Sequence, residues 1–265
     1  MTAPAVASVR VPRLILWRHG RTEWNAEGRF QGQLDPPLDA EGRNQAARVA
    51  PHLVAAGLTA QGTVVVSSDL IRAAATATVL TSLLGVPLHL DARLREHGLG
   101  CWEGLTRDDV EARHPEQYAD WLAGRPVEGR GGENPADVTR RALAALADLP
   151  PAEAAVVVTH GGTAGRLLEA LLGLAPDHRR IFGPLGNCAW SELGQRGGRW
   201  RLIRHNNWLA ALPDGAIDGV DGAAVRAEAA PARTTWRTHN ARRGASTARP
   251  GEDPATTEGD ADAVL

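Results

Sequence analysis

Lysine is missing from this chain. All 29 of its basic residues are arginine, set against 31 acidic ones for a formal net charge of -2 over 265 residues. Alanine is abundant as well, and the two biases together reflect a GC-rich coding sequence, so an arginine carries meaning here only through its position. The near-neutral balance leaves no global basic field, which argues against nucleic-acid or anionic-membrane partners; any anion must be recognised locally. The two cysteines, Cys101 and Cys188, have neither metal-site spacing nor the density of a disulfide framework, which fits a reducing compartment. No apolar stretch is long enough to span a bilayer, and Met1 to Arg13 carry no signal-peptide core, so the expected place is the cytoplasm. A P-loop, a Gly-rich dinucleotide fingerprint after the first strand and a His-Glu-His zinc pattern are absent too, so no metal and no cofactor are expected.

What is present suits one α/β domain. The chain is 43% hydrophobic and 23% charged, enough apolar content to bury a sizeable core. We place that domain at 13–212, after a flexible N-terminus at 1–12. From 213 to 265 the composition turns to Ala, Gly, Asp, Arg, Thr and Pro with few large apolar residues, too poor to pack a core, and reads as a disordered tail.

The domain is organised around Leu14-Ile15-Leu16-Trp17, an apolar run that breaks abruptly into Arg18-His19-Gly20-Arg21. Such a run reads as a buried strand, and in open α/β sheets ligands bind beyond the carboxyl ends of strands. Arg18 offers a planar fork of donors, His19 is a nucleophile or proton carrier near neutral pH, and Gly20 lets backbone approach a ligand closely. Residues 25–37 read as a loop wrapping over the strand end, with Asn25 and Gln31 as inward polar groups or as ordinary loop amides. Asp39 resembles the N-cap of a helix through about Gly57.

Thr63 to Val66 is a second buried strand, followed by Ser67-Ser68-Asp69-Leu70-Ile71-Arg72 and an Ala-rich helix to about Leu84. Arg72 falls in that helix's first turn, where the dipole prefers an acid, so it implies an anion or carboxylate beside it. A short strand near Leu88 to Leu90 precedes a Gly-rich irregular segment that carries Glu96 and His97. Helices are expected over 106–124, interrupted at Pro115, and over 137–149. Ala154 to Thr159 is a third buried strand ending in His160-Gly161-Gly162, so the opening pattern of strand, His, Gly and helix recurs. Cys188 to Leu193 and Trp200 to Arg204 alternate like paired strands joined at Gly197-Gly198.

Two His and two Arg residues therefore end three strands, with a Glu nearby. Phosphoryl transfer wants such a set: Arg forks and a cationic His around the transferred oxygens, a second His to attack phosphorus, and a carboxylic acid to protonate the leaving oxygen. Arg18-His19-Gly20 with Thr22 and Asn25, Ser67 to Ala73, Glu96 ahead of Gly100-Cys101-Trp102-Glu103-Gly104, and His160-Gly161-Gly162 resemble, in order, the motifs of the histidine phosphatase superfamily. The resemblance covers about 13 to 208. It implies a three-layer α/β/α sandwich with a mixed, mostly parallel sheet, and a partial lid at 106–150. It also implies His19 as the phosphorylated nucleophile and Glu96 as acid and base. Arg18, Arg72 and His160 would clamp the phosphate, with Asn25 and Gln31 completing the pocket.

Within the superfamily, Glu96 leads into a compact Gly-Cys-Trp-Glu-Gly pattern typical of the small phosphatases rather than the longer segment of phosphoglycerate mutases. Hydrolysis of a small phosphorylated metabolite is the expectation, with a bisphosphoglycerate-dependent mutase and a non-catalytic phospho-ligand module as alternatives and a homodimer left open. The end of the domain, with Gly186-Asn187-Cys188-Ala189-Trp190, Asn206 and Trp208, is similar to glucosyl-3-phosphoglycerate phosphatases. His97 and Cys101 depart from the residues expected there, which singles out the substrate side of the pocket.

Overall fold

A computed structural model describes residues 9–175, 178 and 181–209. The expected tail from 213 lies outside the described residues. Six strands form one mixed sheet in the order β3-β2-β4-β1-β5-β6: β1 (Arg13–Arg18), β2 (Thr63–Ser67), β3 (Leu88–Leu90), β4 (Ala154–Thr159), β5 (Trp190–Arg196) and β6 (Arg199–Asn207). The first four in chain order pair in parallel, and β5 and β6 add an antiparallel edge. The sheet is mixed and mostly parallel, as the motifs implied.

The strands are central because their sequences leave them no solvent face. In β1, Leu14, Ile15, Leu16 and Trp17 are all 0% exposed, which a strand buried on both sides requires. Each such side chain gains about 1.5–3 kcal/mol over an exposed one. One face carries α2 (Ala40–Ala55) and α3 (Ile71–Leu84), whose Ala46, Val49, Leu53, Ala77 and Leu80 share a core with Ile15, Trp17, Val65 and Val156. On the other side α6 (Pro135–Ala147) packs on α7 (Gly161–Leu171), and α7 on β1. This is the α/β/α sandwich. Between them in sequence lie the short α4 (Arg107–Arg113) and α5 (Pro115–Ala123), broken at Pro115 as expected.

Several boundaries move for physical reasons. Residues 25–37 are not all loop: Thr22 caps a one-turn helix, α1 (Glu23–Ala26), through a reciprocal capping box with Asn25. The helix expected from Asp137 starts at Pro135 because Asn134 caps it, accepting from Ala136 N. Strand β5 starts at Trp190 rather than Cys188, because Cys188 turns to φ 58. Its carbonyl accepts from Trp17 Nε1 at 3.0 Å while its N–H donates to the His19 carbonyl at 2.9 Å. Of the stretch expected to be flexible at 1–12, residues 9–12 are packed against the domain: Val9 and Val11 are buried, and the Pro12 carbonyl accepts from Gln195 N; residues 1–8 lie outside the described residues.

Gly20 also plays a different part from the one expected. Its missing side chain faces the Gly42 carbonyl in the first turn of α2, and Gly42 in turn faces the Arg21 carbonyl. The two glycines let backbone pass backbone, which by itself requires the missing side chain at Gly20. Asp39 completes the junction, accepting from Gly42 N at 2.7 Å and from Arg21 Nε at 2.7 Å. A Gly42→Ala substitution is expected to lower the free energy of unfolding by about 1–3 kcal/mol through overpacking, read as a shifted midpoint in a urea titration.

Candidate active site

The register of β1 against β4 sets the site. Arg18 pairs with Thr159 across the two parallel strands. Just beyond that pair, His19 N donates to the Thr159 carbonyl at 3.0 Å, and the His19 and His160 rings come to 5.1 Å. One strand further along the same edge, Ser68 N donates to the Val158 carbonyl and Ser68 Oγ lies 2.9 Å from His160 Nε2.

His19 has a defined tautomer. Its Nδ1 lies 2.7 Å from the Gly20 carbonyl oxygen, which can only accept, so Nδ1 carries the hydrogen and Nε2 holds the lone pair. Gly20 itself is fixed by α3: its N–H donates to Thr76 Oγ1 at 3.0 Å, and that hydroxyl donates to the Arg72 carbonyl. Burial pushes the His19 pKa well below its ordinary value, and Arg72 and Arg18 push the same way. His160 is lowered well below the ordinary value too, by burial, then Arg72, His19 and Arg18. Burial and the neighbouring cations thus favour the neutral form of the second ring, and the cationic form expected around a phosphoryl group would need a bound dianion to draw a proton back onto it.

Two guanidinium groups reach these rings. Arg72 is 0% exposed and donates to the Leu34 and Gly32 carbonyls at 2.7 and 2.8 Å. Its burial lowers its pKa to about 10 against the opposing pull of Glu96 and Asp35. Arg18 donates to the Leu185 carbonyl at 2.6 Å. Both side chains are held by neutral carbonyls, which orient a cation without neutralising it. Arg18 Nε, Arg72 Nε and His160 Nδ1 are buried with no partner among the described residues. The acid expected beside the start of α3 exists: Asp35 Oδ1 accepts from Ile71 N at 2.8 Å and lies 3.8 Å from Arg72. The dipole argument alone therefore does not require a ligand at Arg72.

Glu96 is brought to the same place by α7. One carboxylate oxygen accepts from Gly162 N at 3.0 Å; the other accepts from Thr163 N at 3.0 Å and His97 N at 2.8 Å and lies 3.2 Å from Thr163 Oγ1. A Cβ at Gly162 would stand 2.7 Å from the carboxylate and displace it, so glycine there leaves Glu96 room to seat on α7. Thr163, unremarked in the sequence, also donates to the Arg95 carbonyl. Its only signal was its position three residues after His160.

The two amides differ. Asn25 Oδ1 accepts from Thr22 and from Asn187 Nδ2 at 3.0 Å, and Asn187 Nδ2 lies 3.5 Å from the His19 carbonyl. Asn25 thus braces the His19 loop through Asn187. Gln31 is buried beside Gly32, which holds Arg72, and its Oε1 has no partner among the described residues. Among the described residues no group of three or more His, Cys, Asp or Glu side chains is arranged to hold a metal ion, and no helix is long and apolar enough to cross a membrane.

Two His rings, the buried Arg72, the half-buried Arg18 and a carboxylate thus share one sheet edge. The chain belongs to the histidine phosphatase superfamily (branch 1), whose family model matches residues 14–208, and it is a phosphatase of that family. It is 38% identical over 215 residues to the glucosyl-3-phosphoglycerate phosphatase of Mycolicibacterium vanbaalenii, covering 73% of this chain and 94% of that one. A probable phosphoglycerate mutase of Salmonella paratyphi B is 36% identical over 194 residues, covering 71% and 87%. Among solved structures, a mycobacterial glucosyl-3-phosphoglycerate phosphatase in complex with VO3 superposes with a TM-score of 0.64 at 38% identity, covering 72% of this chain and 97% of that one.

The two lowered imidazoles have a consequence for stability. A base whose pKa falls on folding contributes stability that is complete above its ordinary value of 6.5 and is lost as the pH drops toward the folded value. The urea midpoint is therefore expected to fall between about pH 7.5 and about pH 5.5, and to fall less with inorganic phosphate present. A midpoint that is flat across that window would contradict neutral buried rings.

Proposed function

We propose that the enzyme hydrolyses a phosphate monoester through a phosphohistidine on His19, with glucosyl-3-phosphoglycerate as its substrate. The observation that carries the reading is the tautomer: the Gly20 carbonyl accepts a hydrogen bond from His19 Nδ1, leaving Nε2 with its lone pair at a site where backbone carbonyls aim Arg18 and Arg72. In the first step His19 Nε2 attacks phosphorus and the bond to the leaving oxygen breaks. Glu96, protonated at that stage, gives its proton to that oxygen. In the second step Glu96 takes a proton from water, the resulting hydroxide attacks phosphorus, and the N–P bond breaks to free His19. Arg18 and Arg72 stabilise the charge on the equatorial oxygens, while His160 donates once protonated. Asn25 and Gln31 finish the pocket, the first through Asn187.

The substrate assignment is supported by the relatives that carry that name at 36–38% identity over most of their length. A second reading, a phosphoglycerate mutase, draws on the Salmonella relative; it differs chemically only in whether water or a second substrate hydroxyl accepts the phosphoryl group. A cytoplasmic location is consistent with the free thiols of Cys101 and Cys188.

Initial rates of phosphate release in excess chelator separate these readings. Glucosyl-3-phosphoglycerate is expected to exceed 3-phosphoglycerate, phosphoserine and p-nitrophenyl phosphate by orders of magnitude in kcat/KM, and Glu96→Gln to slow it by about 10²–10⁴-fold. Uniform slow rates would refute the substrate assignment, and bisphosphate-stimulated interconversion of phosphoglycerates without net release would favour the mutase. Loss of all turnover in chelator would overturn the metal-independent mechanism.

A further inference from the structure

The proposed chemistry uses no group from the loop before α6, yet that loop holds a buried cation without an anion. Arg130 is 8% exposed, and its guanidinium stacks on Trp102 at 5.2 Å from the ring centroid. Its Nη2 lies 3.2 Å from His97 Nε2, but that nitrogen also lies 2.7 Å from the Glu133 carbonyl oxygen. A carbonyl only accepts, so His97 Nε2 carries its hydrogen and offers Arg130 no lone pair. The nearby carboxylates are engaged elsewhere. Glu133 binds Arg141 through both oxygens, each at 2.9 Å, and Glu103 accepts from Gln33 N and Leu99 N. Among the described residues Arg130 forms no ion pair. Cys101 and Glu103 act on Arg130 through space without pairing with it, and a buried charge with no paired anion is costly, so its persistence points to an anion supplied from outside.

The location says which anion. Cys101 N donates to the Arg130 carbonyl and Glu133 N to the Gly98 carbonyl, both at 2.9 Å, which straps the loop onto the segment leaving Glu96. Gly132 lies so close to the Gly98 carbonyl that no side chain fits there. Glu96 is the group that meets the leaving oxygen, so the carbon skeleton attached to that oxygen lies on this side of the pocket. Arg166, a turn along α7 from Thr163, adds positive potential at both His97 and Arg130, but is itself paired with Glu169 at 3.0 Å. One free planar fork, with a second cation already paired, suits a planar monoanion rather than a second phosphate.

We propose that Arg130 is a specificity residue that binds a carboxylate on the leaving-group portion of the substrate, flanked by Arg166. This rests on the phosphatase reading above and identifies the part of the leaving group the site selects.

The test compares kcat/KM for 3-phosphoglycerate and glycerol 3-phosphate, which share a skeleton and differ in a carboxylate against a hydroxymethyl group. The wild type is expected to prefer the acid, and Arg130→Gln to shrink that preference by about tenfold to hundredfold, mostly through KM. Arg130→Lys is expected to restore part of it, and Arg166→Gln to cost less. A preference that survives Arg130→Gln, or equal losses on both esters, would overturn the subsite. Should Arg130→Gln fail to fold, inhibition of wild-type p-nitrophenyl phosphate hydrolysis by glycerate but not glycerol supports the subsite, and inhibition by neither overturns it. The ratio of glucosyl-3-phosphoglycerate to 3-phosphoglycerate reports separately on the substrate assignment: if that ratio is near one while Arg130→Gln still erases the carboxylate preference, the substrate reading fails and the subsite stands.

Discussion

The register of β1 against β4 is the constraint on which the rest of the molecule depends. Sliding it by one residue would turn every side chain of a doubly buried strand to the opposite face and separate two rings that now stand 5.1 Å apart. That register is held by the core itself, because both faces of β1 are packed and neither tolerates the alternative set of side chains. The glycine pair at Gly20 and Gly42 then lets the chain leave β1 close against α2, and Thr76 of α3 ties the same turn down. A long sheet and two helices are thereby committed to aiming one imidazole.

What the scaffold aims is an excess of positive charge. Arg18 and Arg72 are oriented by backbone carbonyls, which fix direction without neutralising charge. Burial first, and then the same excess, suppresses protonation of both histidines, so His19 stays a free base without needing a carboxylate partner. A carboxylate close enough to activate His19 would also repel the incoming phosphate. Glu96 avoids this conflict by bonding to the first turn of α7 through Gly162 and Thr163. The Arg130 subsite extends the same logic outward, with a cation buried where the substrate, rather than the protein, carries its counter-charge.

The sheet was legible in the sequence because its strands are short, β-branched and bounded by Gly or polar residues, and the four site motifs follow strand ends. Arg18, His19, Arg72, Glu96 and His160 could be found for that reason. What sequence reading missed depends on tertiary partners. Asn25 could be read as a pocket amide, but its part in capping α1 and its tie to Asn187, a contact 162 residues apart in sequence, could not be read. Gly20 looked like a ligand approach and is a backbone crossing. The roles of Thr163 and Ser68 could not be read locally, since a threonine early in a helix or a serine after a strand is ordinary until its neighbour is known. The lowered pKa of His160 was out of reach, because it arises from burial and summed charge.

The most direct test of the central claim is to quench the Glu96→Gln enzyme during turnover of labelled phosphate ester and map the bound label. The account predicts acid-labile, alkali-stable phosphate on His19, lost in His19→Ala. Label on another residue, or turnover that persists in His19→Ala with no bound phosphate, would contradict it.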